Sequence, residues 1–130
     1  MPTIFTRIVN GEIPCYKIAE DSNYLAFLDI NPLARGHVLV IPKKEVDYIF
    51  DMDDNLLGGM MVFAKKIAKA IDKTIPCKRV GVVVIGLEVP HAHIHLIPIN
   101  KISDVNFANP KLSLTKEEFI AIAEKIKAAL

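Results

Sequence analysis

The run His91-Ala92-His93-Ile94-His95 holds three of the chain's four histidines at alternating positions. In a β-strand the side-chain period of two sends all three to one face, about 7 Å apart, and sends Ala92, Ile94 and Leu96 to the other. One face then reads as core against a helix, the other as chemistry. A row of imidazoles is a poor choice for packing alone, because each ring carries two hydrogen-bonding edges that need partners. Two chemistries use such a row. Histidines at i and i+2 ligate zinc through ring nitrogens, with a further ligand from elsewhere in the chain. Alternatively, a neutral imidazole attacks phosphorus directly, being a good nucleophile near neutral pH and a fair leaving group once phosphorylated. Neighbouring histidines then offer N–H donors to the non-bridging oxygens, and the site needs fixed tautomers and a proton source for the leaving group.

The elements that must hold this strand are legible around it. Ile4, Phe5, Ile8 and Val9 recur at helical spacing before Asn10-Gly11 stops them. Tyr16–Ala19 and Tyr24–Leu28 read as two short strands joined by a polar turn. Asp29–Gly36 is a punctuated loop with Pro32 fixing its own φ, and His37–Ile41 is a strand that Pro42 ends or pushes to an edge. Asp51, Asp53 and Asp54 suit a helix start, and Leu56, Leu57, Met60, Met61, Ala64, Ile67 and Ile71 give that helix an apolar stripe. Gly58-Gly59 weakens it by about 1 kcal/mol per glycine and suits a close packing contact. Val80–Ile85 reads as a buried strand, linked by Gly86–Pro90 to the histidine strand as an antiparallel hairpin that continues to about Ile99. Asn100–Leu112 is irregular. Thr115-Lys116-Glu117-Glu118 has the spacing of a capping box and opens a last helix with Phe119, Ile122, Ala123 and Ile126 inward. Antiparallel strands with a middle and a terminal helix, and no βαβ series, make an α+β domain spanning 1–130.

Composition narrows the function classes. The chain has 130 residues, 52% of them hydrophobic, enough for one ordinary core without staples. Sixteen Lys and Arg against fifteen Asp and Glu leave a net charge of +1, so no broad footprint for nucleic acid or a membrane surface is present, and any phosphate site must be local. Cys15 and Cys77 lie far apart with no CxxC run, which suits a reducing cytoplasm. No apolar stretch reaches the length of a membrane span, and the N-terminus lacks a signal-peptide pattern.

His91-Ala92-His93-Ile94-His95-Leu96-Ile97 resembles the defining motif of the histidine triad (HIT) superfamily. Phe5, Ile8, Glu12-Ile13-Pro14, Phe27, Asp29–Pro32, Gly36–Lys43 and Glu88-Val89-Pro90 resemble family positions in the same order, from about residue 3 to residue 98. The resemblance implies a HIT-like fold with an antiparallel sheet of about five strands. It also implies an enzyme that hydrolyses or transfers a nucleoside monophosphate through a covalent histidine intermediate. By similarity, His93 is the nucleophile; His91, His95 and His37 order it and contact phosphate oxygens; Asp29 accepts the ribose hydroxyls; Ile30 and Ile18 wall the base pocket. Glu88 lies beside the phosphate, where its backbone N–H suits the ligand better than its carboxylate. A purine nucleotide substrate, AMP or GMP as product, a twofold homodimer and no cofactor are further expectations.

The chain also departs from the pattern. Relatives place an asparagine, a glycine-rich stretch and a glutamine before the motif; here that connection is shorter and Leu87, which cannot donate a hydrogen bond, stands in the glutamine's place. Ala19 replaces a larger aromatic. The zinc ligands of some bacterial relatives fall at Thr3, Thr6, Glu45 and His91, of which only the histidine remains, so no metal is expected. Three functions follow from the resemblance: a phosphoramidase acting on nucleotide conjugates, a dinucleoside polyphosphate hydrolase, and a nucleotide-binding protein with feeble chemistry.

Overall fold

The structure, a computed structural model, describes residues 2–130. A short helix α1 (Ile4–Val9) precedes strands β1 (Lys17–Glu20), β2 (Tyr24–Leu28) and β3 (Val38–Pro42). The long helix α2 (Asp54–Thr74) leads to β4 (Arg79–Val83) and β5 (Ile94–Ile99), and α3 (Lys116–Ala128) closes the chain. The strands form one antiparallel sheet in the order β1-β2-β3-β5-β4. Among the described residues no helix is long and apolar enough to cross a membrane.

Both faces of this sheet are covered, which explains why β2 and β3 are apolar throughout rather than alternating. Tyr24, Ala26, Leu28, Val38, Val40, Ile94 and Leu96 face α2 and α3 in the main core. Leu25, Phe27, Leu39 and Ile41 face the other way, against Phe5, Ile8 and Val9 of α1. The helices start where the sequence says they should. Asp53 caps α2 by accepting from the Leu56 N–H, and Thr115 with Glu118 forms the reciprocal capping box of α3.

Several expectations are corrected. The histidine strand begins only at Ile94, so His91 and His93 precede it. Pro90 cannot donate to a ladder, and the Ala92 N–H bonds to Val46 O at 2.7 Å instead of to a strand. The alternation nevertheless survives, since Ala92, Ile94 and Leu96 all join the core on the helix side. His37 likewise lies one residue before β3, and Pro42 ends an interior strand rather than marking an edge. The valine-rich β4 is an edge strand with Val82 half exposed, not a buried one; its composition reflects β-propensity, and it has a neighbour on one side only. On α2, Phe63 and Ala70 are inward while Met61 is 47% exposed, one position outside the apolar arc.

Gly59 is where α2 meets the sheet. A Cβ there would stand 2.2 Å from the Tyr24 hydroxyl, which donates to Leu56 O at 2.8 Å. Gly58 faces open space. The adjacent glycines therefore give opposite outcomes in urea denaturation. Gly58→Ala raises the unfolding free energy by up to about 1 kcal/mol through helix propensity, and Gly59→Ala lowers it by about 1–3 kcal/mol through overpacking and loss of the tyrosine bond.

Candidate active site

Two loops and a strand supply the site. The loop before β3 carries Asp29 and His37; the loop before β5 carries His91 and His93; His95 is the second residue of β5. Gly36, at φ +87°, makes the turn into His37, and a side chain there would be strained and would press on Ile75.

Backbone groups that cannot change roles locate the protons of His37, His91 and His93, and through His37 that of His95. The Leu33 backbone N–H donates to His37 Nδ1 at 3.0 Å, so the proton of neutral His37 resides on Nε2. That Nε2–H donates to His95 Nδ1 at 2.9 Å, which leaves His95 with its own proton on Nε2. The carbonyl of His91 accepts from His93 Nδ1 at 2.7 Å, so His93 keeps a free lone pair on Nε2. Finally, His91 Nε2 donates to Pro42 O at 2.8 Å, and its Nδ1 accepts from the Thr3 hydroxyl at 2.8 Å. The rings of His93 and His95 lie edge to face, 5.0 Å between centroids. One ring thus presents a free lone pair beside another that presents an N–H.

Burial favours the neutral form of His37, His95 and His91. It pushes His37 down to about 3, with the charges of His95 and Lys111 adding to it, and pushes His95 down to about 4, with His93 adding to it. His91 is lowered too, mainly by burial. The contact of 3.5 Å between His37 Nε2 and Asp29 Oδ2 is accordingly a polar contact near neutral pH and not an ion pair. Asp29 is raised by burial, against the Asn31 N–H that donates to its Oδ1 at 2.8 Å.

A cavity of about 460 Å³ opens on this cluster. His93, His95, Asp29, Ile30 and Glu88 line it. Ile30 is 64% exposed at the rim, an apolar surface that a bound ligand would cover. Ile18 is not brought there: it sits at the irregular pairing of β1 and is buried in the core with Phe119 and the inward face of α2. His91 and His37 are buried and outside the cavity lining, with both nitrogens of each engaged in hydrogen bonds.

Residues that sequence reasoning passed over complete the walls. Ile4, Phe5 and Ile8 of α1 face the cavity, with Phe5 edge-on to His93 at 5.0 Å. Phe107 packs edge-on against His95 at 4.8 Å, and Lys111 supplies the one full positive charge among the lining residues. The helical spacing of α1 was visible, though not its destination. Phe107 and Lys111 lie in an irregular stretch with no periodicity to read.

Asp29, His37 and His95 bring ligand atoms within 4.8 Å of one another, close enough for an ion. Their donor set suits hydrogen bonds better. An ion on His37 Nε2 would have to displace the proton shared with His95, while the Leu33 amide keeps Nδ1 from taking it up. Zinc ligation by His91 would likewise break its bond to Thr3 or to Pro42.

Comparison with known proteins places this arrangement. The HIT domain family matches residues 10–102. An uncharacterized HIT-like protein of Borreliella burgdorferi is 38% identical over 95% of this chain and 94% of its own. An adenosine 5'-monophosphoramidase of Schizosaccharomyces pombe is 34% identical over 100% of this chain and 99% of its own. Among solved structures, a HIT-like protein from Bartonella henselae superposes with a TM-score of 0.85 at 33% identity, covering 98% of this chain and 96% of that one. Matched over most of its length in sequence and over nearly all of it in fold, the chain belongs to the histidine triad (HIT) family.

Proposed function

We propose that the protein is a nucleotide hydrolase acting on the α-phosphate of purine nucleoside phosphoramidates through a nucleotidyl-histidine intermediate. The observation that carries this reading is the bond from His93 Nδ1–H to the His91 carbonyl, which leaves Nε2 as a lone pair facing the cavity. His93 Nε2 attacks phosphorus, an N–P bond forms, and the P–N bond to the amine breaks as the amine takes up a proton. Water then attacks phosphorus, breaks the histidine–phosphorus bond and gives up a proton, releasing AMP or GMP. His95 Nε2–H donates to a non-bridging oxygen throughout. Asp29 Oδ2 accepts from the ribose, and the aliphatic walls, Ile30 among them, grip a base by apolar burial with little discrimination. The name of the Schizosaccharomyces pombe relative supports the choice of leaving group. A cytoplasmic setting accords with it, since Cys15 and Cys77 are both free.

The protein releases AMP from adenosine phosphoramidate, and His93→Asn lowers the rate by roughly 10³-fold or more while AMP binding persists. Absence of release by the unmodified protein, with AMP bound, would sink the proposal; cleavage of a diadenosine polyphosphate in its place would redirect it.

Neutrality of the relay sets an acid limit. His37, His95 and His91 are depressed below the ordinary 6.5, so the unfolded chain binds more protons than the folded one once pH falls below that value. Stability is therefore complete above pH 6.5 and drains as pH drops toward 4 and then 3. Asp29, shifted upward, titrates in the opposite sense at the lower end of this window. Urea denaturation at stepped pH records the decline, and its slope between pH 6.5 and 5 is shallower in His37→Gln. An identical slope in that variant would show that the relay is not its source.

We also propose a homodimer. β4 is an edge strand with Val82 exposed, and Met61 and Val62 are exposed on α2. Light scattering of the unmodified protein gives twice the chain mass, and Val82→Lys shifts it toward the monomer. A monomer at working concentration overturns this.

A further inference from the structure

A second hydrogen-bonded cluster lies behind the cavity and ties three separate segments together. Thr3 caps α1, Thr6 lies one turn on, Glu45 follows β3, and His91 precedes β5. Glu45 Oε1 accepts from the Thr6 hydroxyl at 2.6 Å and from the Thr3 backbone N–H at 2.8 Å. A carboxylate only accepts, so the single Thr6 hydroxyl proton is committed to it. The Thr6 N–H in turn donates to Thr3 Oγ1 at 3.0 Å. The Thr3 hydroxyl proton has two acceptors within reach, Thr6 Oγ1 at 3.3 Å and His91 Nδ1 at 2.8 Å. The shorter bond is the one that satisfies a fully buried imidazole nitrogen.

Hydrogen bonds therefore link Glu45 through Thr6 and Thr3 to His91, and His93 Nδ1–H donates to the His91 carbonyl. Thr3 and Pro42 hold the two edges of the His91 ring, and the ring anchors the carbonyl that decides which nitrogen of His93 is free. Phe5, between the two threonines in α1, stands edge-on to both rings, 5.7 Å from His91 and 5.0 Å from His93. The helix that walls the cavity and the residues that orient the nucleophile are thus one unit.

We propose that Thr3, with Thr6 and Glu45 behind it, is a positioning residue that holds His93 in the Nδ1–H tautomer through His91. It touches neither substrate nor phosphorus. The proposal rests on the reading of His93 as nucleophile, and its test separates the two. Long-range ¹⁵N–¹H NMR of the imidazoles reports the tautomer of each histidine without any turnover. In the unmodified protein His93 is a single Nδ1–H tautomer and His91 a single Nε2–H tautomer. In Thr3→Val both His93 tautomers are populated, kcat for AMP release falls roughly ten- to a hundredfold, and KM changes by less than about threefold. Thr3→Ser, which keeps the hydroxyl, restores the tautomer and the rate.

Glu45 is exposed, so Glu45→Ala leaves the core intact and moves the same two readouts in the same direction by a smaller factor. It also decides the matter if Thr3→Val fails to fold. A single Nδ1–H tautomer at His93 with unmodified kcat, in folded Thr3→Val or in Glu45→Ala, overturns the proposal, and so does a fall in thermal stability alone. If the unmodified protein shows no AMP release, the proposed function fails, and the tautomer readout still rules on the relay.

Discussion

A neutral imidazole has one proton for two nitrogens, and the whole site depends on where four such protons are placed. Backbone groups decide. The Leu33 amide only donates and the carbonyls of Pro42 and His91 only accept, so the order they impose stands as long as these groups are held in place. A chain of histidines bonded only to one another would have two degenerate directions. This one has a single direction because each branch ends on the main chain. Among the described residues no buried side-chain nitrogen or oxygen lacks a hydrogen-bond partner, as a low-dielectric interior requires of a polar network.

Those backbone groups are fixed only because the sheet beneath them is fixed. Val38 pairs with Leu96 and Val40 with Ile94, which sets His95 opposite Leu39 and leaves His37, two residues before Leu39, within hydrogen-bond reach of it. Cover on both faces makes a slip in register expensive, since every residue of β2 and β3 would trade one packed environment for another. The side facing α2 and α3 supplies most of the apolar burial. The side facing α1 is thinner and leaves room for a cavity lined by His93 and His95.

How much of this the sequence disclosed follows from the range of the interactions involved. The last helix was readable because its capping box and stripe lie within one short window, and α2 because its cap and period are local. The histidine alternation was readable for the same reason. The start of β5 was not, because it is set by Val46 taking the Ala92 amide, a contact across 46 positions. The burial of β4 was misread because composition reports β-propensity and cannot report that a strand has one neighbour. Ile18 was assigned to the cavity by resemblance, but the irregular pairing at β1 sends it into the core. Phe107 and Lys111 reach the site from a stretch without periodicity, and only the folded chain shows them beside His95 and Asp29.

The same proton order constrains the chemistry the site can perform. Phosphate arriving beside His95 favours a positive charge on that ring, but the only nitrogen open to a further proton is Nδ1, which already receives the His37 N–H. Passing that proton along would leave His37 short of one, with the Leu33 amide pointing at its Nδ1 and no donor behind it. The relay therefore conducts no net proton. In the proposed reaction His95 is then a fixed donor and not a general acid, and the proton that accompanies the leaving group comes from the open side of the cavity. An amine suits the proposed reaction at such a site, because the nitrogen of a P–N bond is basic enough to take a proton from solvent before the bond breaks. A bridging ester oxygen is not.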